Sequence, residues 1–87
     1  MRVRKIHYTS DFAQAYKRLP SVIQKAVDRK DRLFRENPYY PSLRTHRLRG
    51  ALEGLWSFWI MRDYGVLFEF IGDQAIFYDV GTHDIYK

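Results

Sequence analysis

The chain contains no cysteine, which excludes disulfides, zinc fingers or ribbons and a thiol nucleophile. No apolar run approaches the roughly 18–20 residues that a membrane span requires. The opening Met-Arg-Val-Arg-Lys has none of the apolar stretch of a secretory signal, so no membrane partner and a cytoplasmic location are expected. Glycine is sparse: Gly50, Gly54, Gly65, Gly72 and Gly81 are scattered as turn formers and build no phosphate-cradling loop. No serine stands in a nucleophile-elbow setting. The three histidines show no HExxH-type spacing, so neither a metal nor another cofactor is expected.

What remains is short, aromatic and basic. Eighty-seven residues suffice for a single domain spanning 1–87. The composition is 46% hydrophobic and 17% aromatic, with two Trp, seven Tyr and six Phe; large rings compensate for the small core volume of so short a chain. The formal charge of +5 is unevenly placed. Residues 1–50 carry thirteen Lys/Arg against four Asp/Glu, whereas 51–87 carry two against six. Guanidinium forks match phosphate oxygens bidentately, so the basic half suits an anionic partner, either nucleic acid or an acidic protein. Lys25 to Arg35 reads as a solvated helix face; Arg44, Arg47 and Arg49 crowd around His46 beside a predicted strand.

Arg2–Tyr8 alternates loosely and reads as a strand. Thr9 or Ser10 then caps a helix whose apolar face is Phe12, Ala15, Tyr16 and Leu19, stopped by Pro20. Ser21 with Gln24 forms a capping-box signature for a second helix, which ends at Asn37-Pro38. From His46 the pattern turns to strand: His46–Arg49 leads through Gly50 into Leu55–Met61. A turn is expected at Asp63-Tyr64-Gly65, a strand over Val66–Ile71, a hairpin at Gly72-Asp73 and a last strand over Gln74–Val80. The predicted fold is α+β, in the order β-α-α-β-β-β, with an antiparallel meander bearing a two-helix hairpin on one face and open on the other. Alternation assigns Trp56, Phe58, Ile60, Val66, Phe68 and Phe70 to the core, and Ser57, Trp59 and Met61 to the open face.

Acid–base work is the chemistry these residues support. Positive neighbours favour a neutral, proton-accepting His46, while the carboxylates of Asp84 and Asp63 favour a charged, proton-donating His83. As structural alternatives, His46 is a solvated loop residue, His83 a capping residue and Asp63 a turn residue. His7, inside the first strand, reads as structural.

The element order, the segment Leu43-Arg-Thr-His-Arg-Leu-Arg-Gly50, the segment Gly54-Leu-Trp-Ser57 and the ending Val80-Gly-Thr-His-Asp-Ile-Tyr86 together resemble the RelE/ParE superfamily of toxin–antitoxin toxins, above all its YafQ-like branch. The likeness spans nearly the whole chain. It implies a ribosome-dependent endoribonuclease that cuts mRNA by metal-independent attack of the 2′-hydroxyl. Position by position, His46, Asp63 and His83 match the branch's acid–base set. Tyr86 is the nearest aromatic, one residue closer to the histidine than usual. A family histidine is Trp59 here, and the arginine of many relatives is Gly65, so Arg44, Arg47, Arg49 or Arg62 is implied as the phosphate-binding cation. Trp59 is implied to stack on RNA bases. The partners implied are a cognate antitoxin, the ribosome and mRNA, with a homodimer and a toxin–antitoxin heterotetramer both open. The rival readings are a ParE-like gyrase inhibitor and an inactive antitoxin-binding partner.

Overall fold

In the computed structural model, which describes residues 1–86, Ile6 points inward between exposed neighbours, so Lys5–Tyr8 forms strand β1. Thr9 ends it: its hydroxyl accepts from the Phe12 N–H at 3.0 Å and caps helix α1, Ser10–Arg18. Asp11 in the first turn and Lys17 and Arg18 in the last suit the helix dipole. Helix α2, Ser21–Glu36, follows Pro20.

The expected Ser21–Gln24 capping box does not form. Pro20 itself takes the capping position, with its carbonyl accepting from the Ile23 and Gln24 N–H groups. Ser21 is thereby drawn into the first turn, and the Gln24 amide donates to the Tyr16 carbonyl at 2.8 Å, tying the two helices together.

The stretch His46–Arg49, expected to lead through Gly50 into the strand Leu55–Met61, carries a strand of its own. Gly50 (φ 71°) and Gly54 (φ 95°) take left-handed backbone around a short 3-10 turn, Gly50–Leu52. The chain therefore folds back, and β2 (His46–Arg47) pairs antiparallel with β3 (Trp56–Met61). The next turn also lies earlier than expected. Arg62 adopts φ 52°, Met61 pairs with Tyr64, and Gly65 belongs to β4, Tyr64–Ile71. Gly72 (φ 59°) makes the hairpin into β5, Gln74–Gly81, and a 3-10 turn, His83–Tyr86, follows.

The sheet order is β1-β5-β4-β3-β2, antiparallel except for the parallel β1–β5 pair. Two helices and this five-stranded, mostly antiparallel sheet make the α+β fold anticipated from the sequence. Phe34 of α2 sits at the centre of the core, its ring 5.0–5.2 Å from those of Phe58, Phe68 and Phe77. Phe58, Ile60, Val66 and Phe68 are buried as alternation required. Trp56 and Phe70 lie half-buried at the rim, packed on each other and on Tyr39.

The opposite sheet face is not open. Ser57 and Leu67, on that face by register, are both buried. The 3-10 turn His83–Tyr86 packs against β4 and β5. Gly65 and Gly81, paired across these strands, make room for it. A Cβ on Gly65 would fall 2.7 Å from the Tyr86 hydroxyl, and one on Gly81 3.1 Å from the Ile85 Cγ2. Among the described residues, no helix is long and apolar enough to cross a membrane.

Candidate active site

His46 begins the edge strand β2, opposite Ser57. Its Nδ1 lies 2.8 Å from the Arg44 carbonyl oxygen. A carbonyl only accepts, so Nδ1 carries the hydrogen and the Nε2 lone pair of the neutral ring is left to accept a proton. Arg44 presents that carbonyl because it closes the 3-10 turn Pro41–Leu43 in left-handed backbone (φ 50°).

The Arg44 guanidinium lies 4.5 Å from the centroid of the Trp59 ring, and the Lys30 amine 5.1 Å from it. The Trp59 indole N–H donates to the Arg62 carbonyl at 2.8 Å, bracing the β3–β4 turn. Trp59, expected to face outward, is therefore half-buried beneath two cations. Partial burial, helped by the charges of Arg29 and Arg44, pushes the Lys30 amine below its ordinary value.

His46, Trp59, Asp63 and Tyr86 line one cavity of about 120 Å³, together with Ser57, Phe58, Tyr64 and Gly65. This small space is open to solvent and sits where β2, the β3–β4 turn and the C-terminal turn meet. The Tyr86 and Ser57 hydroxyls hydrogen-bond to each other within it. His83 begins the same 3-10 turn as Tyr86 but is exposed and lies outside this lining.

A second, larger cavity of about 940 Å³ adjoins at His46 and is lined by Arg47, Arg49, Gly50, Glu53 and Trp56, among others. Arg47 pairs across the strands with Trp56, and its guanidinium lies 5.2 Å from that ring. Alternation thus puts Arg47 on the sheet face opposite His46. Arg62 is exposed in the turn beside Asp63. His7 bonds to the Gln74 side chain at 2.7 Å, away from both cavities. Among the described residues, no three His, Asp or Glu side chains group closely enough to hold a metal ion.

Ser57 was not singled out from the sequence as a site residue. Its signal is visible in retrospect: a lone hydroxyl in the aromatic run Trp56–Met61. Away from this site, Tyr8 donates to Asp31 at 2.5 Å and accepts from Arg35 at 2.8 Å. Burial and the Asp31 carboxylate push the Tyr8 phenol up to about 12.

The molecule is thus a small α+β domain with a basic-rimmed cavity at one sheet edge, and known structures share its fold. A YoeB/ParE toxin from Agrobacterium tumefaciens matches with TM-score 0.77 at 17% identity, over 91% of this chain and 98% of the other. YafQ from E. coli strain BL21(DE3) gives 0.74 at 17%, over 93% and 94%. A chain of the RelB–RelE antitoxin–toxin complex from Methanococcus jannaschii gives 0.70 at 20%, over 92% and 94%. No protein-family profile and no curated protein matches the sequence. The fold is that of the RelE/ParE toxins.

Proposed function

We propose that the chain is the toxin of a toxin–antitoxin pair and acts as a ribosome-dependent endoribonuclease. The observation that carries this reading is the convergence of His46, Asp63 and Tyr86 on one cavity beside Arg44 and Arg62. A ribose 2′-hydroxyl placed there loses its proton to His46 Nε2 or to Asp63, and the 2′ oxygen bonds to phosphorus as the bond to the 5′ oxygen breaks. His83, from the exposed start of the last turn, protonates the leaving 5′ oxygen. The products are a 2′,3′-cyclic phosphate and a 5′-hydroxyl. Arg44 and Arg62 stabilise the charge gathering on the phosphoryl oxygens. Arg47 and Arg49, which line the larger cavity together, hold RNA outside the reacting centre. The guanidinium of Arg44, seated on Trp59, offers a plane for a base to stack on.

The antitoxin–toxin complex among the fold neighbours supports a cognate antitoxin as partner. The basic half of the chain suits an acidic segment of such a protein. Expression of the parent and of His83→Ala in a translating lysate tests the reading. Translation-dependent message cleavage by the parent, abolished in a folded His83→Ala, is the expected result. Cleavage undiminished in His83→Ala removes that residue from the mechanism. Intact message with DNA cleavage complexes identifies a gyrase inhibitor instead, and unaffected growth on expression an inactive partner.

A further inference from the structure

Ser57 is the only polar residue fully buried among the described residues, at 1% exposure. A hydroxyl withdrawn from water needs a partner, and here the partner is Tyr86, on the last turn of the described chain. The contact is built from several directions. Gly65 and Gly81 pair across β4 and β5, and each lacks a side chain where the turn descends. Ser57 is itself the cross-strand neighbour of His46, which lines the other side of the cavity.

We propose that Ser57 is a positioning residue: its hydroxyl donates to the Tyr86 oxygen and directs the Tyr86 O–H into the cavity, toward a phosphoryl oxygen of the bound RNA. Ser57 touches no substrate; it acts through Tyr86, and this role rests on the nuclease reading of the same cavity. The turn that carries the phenol packs on β4 and β5, and within that seat the Ser57 bond and the missing side chains of Gly65 and Gly81 determine where the Tyr86 oxygen lies. Misplacing such a group by about 1 Å costs on the order of 100-fold in rate.

Steady-state cleavage of a ribosome-bound message by the parent, Ser57→Ala, Ser57→Thr, Tyr86→Phe and the double variant Ser57→Ala/Tyr86→Phe tests this. Ser57→Ala should lower kcat by about 10–100-fold with KM nearly unchanged, because only the placement of a charge-stabilising donor is lost. Ser57→Thr, which keeps the hydroxyl, should recover most of the rate. The double variant should be no slower than Tyr86→Phe alone, since both changes remove one interaction. Should Ser57→Ala fail to fold, Ser57→Cys, similar in volume but a weak donor, takes its place. Full kcat in the folded Ser57 variant, or independent losses in the double variant, overturns the role of Ser57 while leaving the nuclease reading intact. A parent that cuts no message overturns both.

Discussion

Replacing Gly65 by alanine separates the seat of the C-terminal turn from ordinary glycine chemistry. Gly65 lies in extended strand backbone, so a methyl group there meets no backbone strain, and restricting the unfolded chain would ordinarily stabilise by about 0.4–1 kcal/mol. Space reverses the sign. The new Cβ would stand 2.7 Å from the Tyr86 hydroxyl, 3.1 Å from the Phe58 carbonyl oxygen and 3.4 Å from the Ser57 Oγ. The Phe58 carbonyl belongs to the paired strand β3, so the Tyr86 ring must swing away. That leaves the Ser57 hydroxyl buried without its partner, a cost of about 1–3 kcal/mol. The net effect of Gly65→Ala is a loss of about 1–2 kcal/mol, or roughly 5–15 °C in melting temperature for a domain of this size. Because Tyr86 leaves the cavity, message cleavage should fall by on the order of 100-fold. Gly72→Ala is the control: nothing lies within 4 Å of its Cβ, but its φ of 59° is left-handed. It should lose about 1–2 kcal/mol through the backbone alone and keep the parental cleavage rate per folded molecule. Urea titration with an unchanged slope and single-turnover cleavage measure both quantities. A Gly65→Ala protein as stable and as active as the parent would refute the seating of Tyr86.

Three further outcomes follow from the geometry. The Tyr8 phenol, held up to about 12 chiefly by burial and then by Asp31, favours its neutral form in the fold; this stabilisation is complete below pH 10, its ordinary value, and is lost as pH rises toward about 12. Denaturant titrations across that window should show a steeper alkaline fall for the parent than for Tyr8→Phe. Thr9→Ala removes the cap of α1 and the Thr9 bond to the Tyr78 carbonyl; a loss of about 1 kcal/mol with unchanged cleavage per folded molecule is expected in thermal melts. RNA affinity should fall with salt, and Arg49→Gln should reduce the slope by about 0.7 if that guanidinium contacts one phosphate of a single strand; an unchanged slope places Arg49 off the RNA path.

Much of the core was legible because β3 and β4 pack one face against α2, so a period of two picks out Phe58, Ile60, Val66 and Phe68; the burial of Ser57 and Leu67 on the other face is not in that pattern. The faults lie where tertiary context overrides local signals. Gly65 reads as a turn residue, since glycine usually marks one, but it is needed in mid-strand for its missing side chain. The turn it was expected to make falls on Arg62, in a left-handed conformation that arginine rarely adopts. The Ser21–Gln24 pair had the spacing of a capping box, yet Pro20 displaced it and Gln24 found a partner on α1.

At the candidate site, His46 stands out by residue type and Trp59 by strand alternation, whereas Asp63 and Tyr86 are marked as site residues only by the family resemblance; the structure places all four around one cavity. The tautomer of His46 depends on the left-handed Arg44, and the burial of Ser57 on a tyrosine 29 residues away. Neither is encoded in local pattern. The cations over Trp59 come from α2 and from the loop before β2, so a ring assigned to an open face is half-covered.

The most direct test of the nuclease account is the chemistry of the new RNA ends. Message recovered from a translating lysate containing the parent should carry 2′,3′-cyclic phosphate and 5′-hydroxyl termini at discrete sites, and none of these ends should form when translation is blocked. Termini bearing a 5′-phosphate, or message that stays whole while the folded protein is present, would contradict attack by the 2′-hydroxyl at the His46–Asp63–Tyr86 cavity.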